Sequence, residues 1–325
     1  MNFFLYDMNQ WFDKNIESYI KNNFNFPMPD SVPSKFKAKK RIIAIGDIHG
    51  DFSALLHSLY IAKIIDLSGN WIGFDTIVIQ MGDLIDKKRF NENFNNCNNP
   101  LEEIHIIDYL NNLHNKAIKY GGSVLRIIGN HEIMNIMGDF SYVLPFHLRG
   151  FKNQGIRRYL FQPGGILARK IMKNSNAIII IGNWVFVHAG ILPYHLKNYN
   201  IEQINSVARN FILGKIQYGN INQELRDIIF SENGILWNRE LTLNVNDSKK
   251  NLLFNTLTKL NINLKKKGGM VVGHTVQEKI NNYYNNKLWT IDTGMSIAFG
   301  PKKKFNDRIQ VLEIIDDGRE INIIG

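Results

Sequence analysis

The fold class that the sequence predicts is an α/β sandwich, and two patterns predict it. Short, continuously apolar runs recur along the chain, and each stops at a turn containing Gly, Asp or His, as strands buried on both faces do. A segment with apolar residues at helical spacing joins the first two runs. Strand, turn, helix and strand in that order form the βαβ unit of α/β proteins.

The predicted elements follow one another in a regular order. The apolar runs are RIIAI before GDIHGD, TIVIQM before GDLID, SVLRII before GNHE, NWVFV before HAG, GGMVV before GHT and KLWTI before DTGMS. Residues 52–65 carry Leu55, Leu56 and Leu59 at helical spacing and predict the crossover helix. Residues 101–120 predict a second helix, after a polar, Asn-rich loop over 90–100.

The predicted domain organisation is one large domain with an extension in front of it. Residues 1–40 are the N-terminal extension, which is rich in aromatic residues and proline and ends in a basic run at 35–40. A solvated linker is the preferred interpretation of that run, and an arm that binds nucleic acid is the alternative. Residues 41–325 form a single domain, with a basic and aromatic insertion over 139–180 and a helical cap over 195–268.

The chain is basic and contains one cysteine. Its formal net charge is +10 and its pI is near 9.4, which attracts anionic partners, although lysine on solvated faces is the simpler explanation. Cys97 has no partner for an intramolecular disulfide, as in proteins of reducing compartments, and it lies in an Asn-rich stretch unsuited to a nucleophile.

Neither a secretory signal nor a membrane span is predicted. The N-terminus has no basic start followed by an apolar run. The most apolar stretch, residues 176–193, is interrupted by Gly182, Asn183 and His188. We therefore expect a soluble cytoplasmic protein.

Residues able to bind a metal follow five of the apolar runs. They are Asp47, His49, Asp83, Asn130, His188 and His274. Ligands of α/β sheets bind at the carboxyl ends of strands, and mixed Asp, His and Asn side chains suit Mn, Fe or Zn. Taken singly, each residue has a structural explanation as a helix cap, a turn former or a buried histidine. Their joint occurrence, each beside a glycine, favours a metal site.

Longer segments around these turns carry a family resemblance. They are GNHEIMNIMGDFSYV, GNWVFVHAGILPYHL, GILWNRE, VVGHTVQ and LWTIDTGMS. Together with the turns, they resemble the calcineurin-like metallophosphoesterase superfamily, its phosphoprotein phosphatase branch and, closer still, the Shewanella-like protein phosphatases. The resemblance spans residues 41–315. It implies a four-layer α/β/β/α sandwich with a helical cap, and a hydrolase that acts on phosphate monoesters.

The resemblance also implies a role for each metal-binding candidate. A first ion is held by Asp47 and His49, Asp83 bridges to a second ion, and Asn130, His188 and His274 complete the second site. The ions would be divalent or mixed-valence, with Mn expected in vitro and Fe, Zn or Mg as alternatives. A water bridging the ions would attack phosphorus directly as hydroxide, without a covalent phosphoenzyme.

The resemblance further implies catalytic and phosphate-binding residues. His131 is the general acid that protonates the leaving group, Asp86 orients its imidazole, and Glu132 has a structural part only. Arg239, in GILWNRE, binds phosphate together with Asn130.

One position departs from the family pattern. The family continues the GDxxD motif with Arg-Gly, whereas Lys87 and Lys88 stand there in this chain, followed by Arg89. Lysine keeps the charge but lacks the planar fork of a guanidinium. Lys87 is the preferred phosphate-binding residue of the three, and Arg89 is the alternative.

A phosphoprotein is the favoured substrate, and preference for phosphoserine, phosphothreonine or phosphotyrosine is left open. Alternatives of the same fold are a nucleotide or other small-molecule phosphatase and a dinucleoside tetraphosphatase. An alternative from another class is a catalytically silent protein that binds a phosphorylated partner, which the Lys87–Lys88 change supports. Nucleic acid is a possible but less favoured partner. No membrane partner is expected.

Overall fold

Two β-sheets lie at the centre of the computed structural model, which describes residues 15–89, 99–300 and 308–325. Cys97 and most of the predicted 90–100 loop lie outside these ranges. Within them, the strands are β1 (Lys35–Phe36), β2 (Arg41–Ile45), β3 (Ile77–Gln80), β4 (Ser123–Ile127), β5 (Ser175–Asn176), β6 (Ile178–Ile181), β7 (Trp184–Val187), β8 (Gly269–Val272), β9 (Asn281–Tyr283), β10 (Leu288–Thr290), β11 (Val311–Ile315) and β12 (Glu320–Ile324).

Helices lie between most of these strands. They are α1 (Ile16–Asn23), α2 (Phe52–Ile61), α3 (Glu102–Ala117), α4 (Asn130–Met137), α5 (Pro145–Gly150), α6 (Gln154–Phe161), α7 (Ile166–Met172), α8 (Ile201–Ile212), α9 (Gln223–Phe230) and α10 (Asp247–Lys259). The crossover helix expected over 52–65 is α2, which begins where Asp51 caps it by accepting a hydrogen bond from Ala54 N (3.0 Å). The second expected helix is α3.

Each sheet combines parallel and antiparallel strands. The first sheet has the order β1-β6-β7-β8-β10-β9 and the second has the order β12-β11-β2-β3-β4-β5. In the second sheet β2, β3 and β4 are parallel neighbours, with Ile42 opposite Ile77 and Val78 opposite Val124. In the first sheet β7 and β8 are parallel neighbours. The carboxyl ends of β2, β3 and β4 therefore share one edge of their sheet.

The two sheets pack face to face, and the helices cover their outer faces. Alternate strand residues such as Ile42 and Ile79 of the second sheet meet Phe186 of the first in one buried cluster. The intervening residues, such as Ile43 and Val185, point outward into a larger core shared with the helices. The α/β sandwich expected from the sequence is confirmed.

Several strands are absent from the sequence prediction. The apolar stretch 176–193 is a hairpin, because the chain turns back between β6 and β7 at Gly182, whose φ is +57°. β11 and β12 were also omitted, and they extend the second sheet next to β2. The segment 139–180, expected as an insertion, contributes β5 and most of β6 to the sheets.

The part of the N-terminal extension that the structure describes packs on the domain. Ile16 and Tyr19 of α1 are buried in the main core. Lys35 and Phe36 are not the solvated linker that we predicted, because they form β1 and pair in parallel with β6. The division into an extension and a domain stays a prediction. Among the described residues, none of the helices combines the length and apolar character that a membrane crossing requires.

Candidate metal centre

Turns at the carboxyl ends of strands from both sheets converge on one point. Asp47 and His49 follow β2, Asp83 follows β3, Asn130 opens α4 after β4, His188 follows β7 and His274 follows β8. All six side chains are buried, and the most exposed of them, His274, is 7% exposed. The structure thus brings together the residues that the turns indicated.

Asp83 lies at the centre of this cluster. Its Oδ2 is 3.4 Å from His188 Nε2 and 3.7 Å from His49 Nε2, and Asn130 Oδ1 is 2.9 Å from His188 Nε2. Two sets of three ligand atoms, with all atoms of a set within 4.8 Å of one another, contain Asp83: one has His49 and His131, the other has His188 and His274. Two candidate cation positions therefore meet at one carboxylate.

Backbone carbonyls fix the orientation of the imidazoles. His188 Nδ1 lies 2.8 Å from Met81 O, and His49 Nδ1 lies 3.3 Å from Ile85 O. An Nδ1–H donated to these carbonyls leaves Nε2 as the nitrogen with a free lone pair, which is how metal-binding histidines are commonly held. The His274 ring is reversed, because its Nε2 lies 2.9 Å from a backbone carbonyl, which leaves Nδ1 as its ligand nitrogen.

The backbone of the cluster is strained. His49, Asp83 and His274 have φ values of +44°, +52° and +62°, in the left-handed region that costs a non-glycine residue about 1 kcal/mol or more. Such strain collects at functional sites. The glycines permit close approach, because a Cβ at Gly129 would overlap Asp83 Oδ1.

The cluster holds more negative charge than its own side chains neutralise. Burial raises the pKa of Asp47 well above its usual value, and the neighbouring carboxylates of Asp292 and Asp83 raise it further. Burial also raises the pKa of Asp292 to about 6. Burial lowers the pKa of His188, but Asp83 and Asp47 outweigh it and raise that pKa to about 10. A bound cation would relieve this excess.

Buried oxygens also support the fit of a cation. Within the described residues, Asp47 Oδ1 and Asp292 Oδ2 are buried without a hydrogen-bond partner. An unsatisfied buried polar atom costs about 1–3 kcal/mol, and a charged one costs more. Since imidazole nitrogen, carboxylate oxygen and amide oxygen are ligands of divalent first-row metals, this donor set fits them.

Glu132 connects the turn after β4 to the turn after β3 through hydrogen bonds. Its carboxylate accepts hydrogen bonds from the backbone N–H groups of Gly129 (2.8 Å), Asp83 (2.9 Å) and Leu84 (2.8 Å). Burial and the charge of Asp83 raise its pKa to about 7. These contacts correspond to the structural part expected of Glu132.

The predicted acid and its partner lie beside this cluster. His131 Nδ1 is 2.9 Å from Asp86 Oδ2, and His131 Nε2 is 3.8 Å from Asp83 Oδ2. Burial lowers the pKa of His131, but the charges of Asp83 and Asp86 outweigh burial and raise it. The carboxylates near both ring nitrogens thus favour the protonated imidazole.

The structure shows the surroundings of two of the cations that follow Asp86. Lys87 is buried and its Nζ pairs with Glu102 Oε2 at 3.0 Å, so the ammonium that we expected to bind phosphate is committed to a carboxylate. The guanidinium of Arg89 stacks 4.8 Å from the ring of Phe299. Burial lowers the pKa of Arg89, and the opposing charges, of which Asp83 has the largest effect, raise it. Of these two side chains, Lys87 is the one that pairs with a carboxylate among the described residues, whereas Arg89 Nη1 donates to the backbone carbonyls of Asp86 and Lys88.

Arg239 lies at the exposed rim of the cluster. Burial, together with the charges of His188 and Arg239, lowers the pKa of His274 to about 3. Arg239 also lines an open cleft of about 510 Å³ with Tyr194 and Leu252 among the other lining residues.

Sequence reasoning did not assign Asp292. It follows β10 in the DTG turn, so it has the same signal as the other ligands: an acidic residue after an apolar run and close to a glycine. Its Oδ1 accepts a hydrogen bond from Gly294 N (2.9 Å), and its charge acts on Asp47. Asp292 adds to the negative charge of the cluster.

Comparison with known proteins agrees with this geometry. Residues 40–278 match the calcineurin-like phosphoesterase family, and the chain belongs to that family. It is a hydrolase that acts on phosphate esters. Members of the family bind divalent metals, and the clustered His and Asp side chains described above could hold them.

Within that family, the resemblance to Shewanella-like protein phosphatases is confirmed. Shewanella-like protein phosphatase 2 of Arabidopsis thaliana is 28% identical over 306 residues, which are 81% of this chain and 73% of the relative. Shewanella-like protein phosphatase 1 of Plasmodium berghei (strain Anka) is 32% identical over 268 residues, 79% of this chain and 67% of the relative.

A solved structure has the same fold. The cold-active protein tyrosine phosphatase of a psychrophilic Shewanella species superposes with a TM-score of 0.70 at 22% identity. The superposition covers 91% of this chain and 83% of that one. At this level of identity the likeness establishes the architecture alone.

Proposed function

We propose that this chain is a phosphomonoesterase with two metal ions and that its substrates are phosphoproteins. The observation that carries the proposal is the position of Asp83, whose Oδ2 lies 3.7 Å from His49 Nε2 and 3.4 Å from His188 Nε2, so that two groups of buried ligands share one carboxylate. His131 lies beside that carboxylate and is paired with Asp86 on its other side. Ligands for two cations and a proton donor are thus adjacent.

The ligands divide between the two ions around Asp83. Asp47, His49 and Asp83 would hold one ion, and Asp83, Asn130, His188 and His274 would hold the other. His131 is assigned to proton transfer and not to metal binding, because its Nδ1 lies 2.9 Å from Asp86 Oδ2 and that carboxylate stabilises the protonated ring. When bound, the ions would polarise the phosphoryl oxygens and activate a water for attack on phosphorus.

His131 is assigned the proton transfer to the leaving group. As the bond between phosphorus and the ester oxygen breaks, the Nε2 proton passes to that oxygen, which departs as an alcohol or phenol. Asp86 accepts the hydrogen bond of Nδ1–H and so holds the ring with Nε2 toward the cluster. General acid catalysis of this kind contributes roughly 10²–10⁴-fold to a rate.

Arg89, Arg239 and Asn130 are assigned to the phosphoryl oxygens. The charges of both arginines act on the cluster, because, in addition to burial, Arg89 lowers the pKa of His49 and Arg239 lowers that of His274. A guanidinium can bind two phosphate oxygens at once. Asn130 would contribute its amide while it binds an ion.

A phosphoprotein substrate is supported by the relatives and by the open side of the site. Two relatives are named protein phosphatases. Arg239 lines the cleft of about 510 Å³, whose exposed acidic residues Glu232 and Glu240 could contact residues that flank a phosphorylated side chain. The net charge of +10 would speed the encounter with an anionic substrate.

Turnover of a substrate panel tests this proposal. We would measure kcat/KM with Mn²⁺ on phosphoserine, phosphothreonine and phosphotyrosine peptides, a mononucleotide and a dinucleoside tetraphosphate. We expect at least one phosphopeptide to exceed both nucleotides by about tenfold or more. Preference for a nucleotide would establish the small-molecule alternative. Binding of phosphopeptides without turnover on any substrate, metal or pH would establish the silent binder.

A further inference from the structure

A second cluster of buried charges lies behind His131 and Asp86. We call it the Arg157 cluster, and it consists of Asp86, Glu103, Asn135 and Arg157. Arg157 comes from α6, Glu103 from α3 and Asn135 from α4, so three helices meet there. The side chains of Arg157 and Asp86 are fully buried. A buried guanidinium of this kind is costly unless it is fully paired.

The guanidinium of Arg157 reaches Asp86 by three routes. Its Nη2 lies 3.5 Å from Asp86 Oδ1. Its Nε donates to Asn135 Oδ1 (2.9 Å), and Asn135 Nδ2 donates to both carboxylate oxygens of Asp86 (2.9 Å each). Its Nη1 donates to Glu103 Oε2 (2.7 Å), while Glu103 Oε1 accepts a hydrogen bond from Asp86 N (2.7 Å).

Each of the two indirect routes fixes a different part of Asp86. An asparagine amide can adopt two orientations that exchange its oxygen and its NH₂ group. Because Arg157 Nε donates to Asn135 Oδ1, the NH₂ group of Asn135 faces the carboxylate of Asp86. If the amide turned over, its oxygen would face two carboxylate oxygens. The bond to Glu103 holds the Asp86 backbone, whose φ of +69° lies in the left-handed region.

Aromatic rings hold the arginine itself in place. Its guanidinium carbon lies 4.7 Å from the ring centre of Phe161 and 4.8 Å from that of Phe151. Arg157 can therefore fix Asp86 with little freedom of its own. The segment that carries it has no assigned part in phosphate chemistry.

We propose that Arg157 is a positioning residue for proton donation, which acts on His131 through the orientation of Asp86. The inference rests on the proposed function, since it assigns Arg157 to the acid of that site. Arg157 touches neither the substrate nor the candidate cations. Its loss would leave binding and nucleophilic attack in place and would slow the departure of leaving groups that need a proton.

Leaving-group dependence separates this role from a merely structural one. We would compare kcat for phenyl phosphate, whose phenolate needs a proton, with kcat for 2,4-dinitrophenyl phosphate, whose leaving group needs none. In Arg157→Gln we expect kcat to fall roughly 10- to 100-fold on phenyl phosphate and less than about 3-fold on the dinitrophenyl ester. A fraction of unfolded molecules lowers kcat on both esters by the same factor. The ratio of the two kcat values is therefore independent of the folded fraction. An equal fall on both esters would overturn the proposal.

Two further variants accompany Arg157→Gln. Arg158→Gln is the matched control, because Arg158 is the next residue of α6, is exposed and donates to Gly138 O at 3.3 Å. It should leave the ratio of the two rates unchanged. If Arg157→Gln does not fold, the variant Asn135→Ala tests the proposal instead. It removes the hydrogen bonds that link Arg157 to Asp86 through Asn135 and keeps the ion pair of Arg157 with Glu103. Asn135→Ala should lower the ratio of kcat on phenyl phosphate to kcat on 2,4-dinitrophenyl phosphate. An unchanged ratio would contradict the proposal.

A signal that needs no turnover completes the test. The Nδ1–H of His131, hydrogen-bonded to Asp86, should give a slowly exchanging downfield proton resonance that is absent from His131→Asn. We expect Arg157→Gln to broaden or remove it and Arg158→Gln to retain it. Persistence of the signal in Arg157→Gln would contradict positioning even if the chain proved inactive. Failure of the proposed function would instead appear as wild-type protein that hydrolyses neither ester.

Discussion

Two adjacent clusters of buried charges differ in how their charges are balanced. In the metal cluster, Asp47 and Asp292 have raised pKa values because of burial and repulsion by neighbouring carboxylates, and an oxygen of each has no partner among the described residues. In the Arg157 cluster, burial raises the pKa of Glu103, but Arg157 and His147 outweigh it and hold it well below its usual value. The negative charge of the metal cluster would be balanced by a bound cation, whereas the charges of the Arg157 cluster are balanced by side chains of the protein itself.

His131 lies where the two clusters meet. Its Nε2 faces Asp83 and its Nδ1 faces Asp86. A proton donor needs both a reacting partner and a fixed orientation. On the Nε2 side, carboxylate oxygens of Asp47 and Asp292 have no partner among the described residues, as the proposed binding of ions requires. On the Nδ1 side, both carboxylate oxygens of Asp86 accept hydrogen bonds, as the proposed orientation of the ring requires.

The largest expected effect comes from removing the charge that the two candidate cation positions share. Asp83→Asn should lower kcat on a phosphopeptide by at least roughly 1000-fold, more than the 10- to 100-fold typical of a residue behind the ligands. It should also lower the amount of Mn²⁺ that remains bound after dialysis. Wild-type turnover in this variant would break the comparison, because the metal cluster would then not need Asp83.

The two clusters should respond in opposite ways when a carboxylate is neutralised. In metal-free protein at pH 7, Glu103→Gln should lower the free energy of unfolding by about 3 kcal/mol, since it strands a buried Arg157. Asp47→Asn should cost nothing or stabilise, because the folded-state pKa of Asp47 is raised and its ionised form is disfavoured. Denaturant unfolding measures the free energy of unfolding of both variants. An equal decrease in the two variants would show that the two clusters do not differ in how their charges are balanced.

A smaller effect separates the two cations that follow Asp86. Arg89→Gln should lower kcat/KM roughly 10- to 100-fold, the equivalent of one charged hydrogen bond. Lys87→Gln should leave kcat/KM within about threefold and act on stability instead, because Lys87 pairs with Glu102. Steady-state kinetics on one phosphopeptide compares them. A greater loss in Lys87→Gln would restore the original expectation that Lys87 binds phosphate.

The smallest effect concerns a buried histidine that belongs to neither cluster. Burial lowers the pKa of His195 to about 4, and its Nε2 donates to Asn233 O (2.9 Å). Below pH 6.5 the unfolded chain takes up a proton at this residue and the folded chain does not, so stability is lost as the pH falls toward 4. At pH 5 the loss is about 2 kcal/mol. Between pH 7.5 and pH 5, the free energy of unfolding of His195→Gln should fall by about 2 kcal/mol less than that of the wild type. An identical pH dependence of the two proteins would contradict the assignment.

The metal cluster could be predicted from the sequence because every ligand lies in, or at the end of, a turn that directly follows a strand. β2, β3, β4, β7 and β8 end at turns with their ligands, and the ends of parallel neighbouring strands meet at one edge of a sheet. The local sequence therefore places Asp47, Asp83 and Asn130 together at one sheet, and His188 and His274 together at the other. Asp292 had the same signal and could have been found.

The Arg157 cluster could not be predicted, because its contacts are long-range. Arg157 lies 71 residues from Asp86 and 54 residues from Glu103 along the chain, and no strand end marks any of them as partners. The pairing of Lys87 with Glu102 is hidden for the same reason. β12 was missed because it alternates exposed and half-buried residues at a sheet edge and lacks a continuous apolar run.

Metal stoichiometry tests the central claim most directly. Metal-free protein would be titrated with Mn²⁺ in a calorimeter, and the bound metal would be counted by elemental analysis after dialysis. We predict two ions per chain in the wild type, since two sets of ligand atoms share Asp83. A single ion per chain, or none, in folded protein that still hydrolyses phosphate esters would contradict the account.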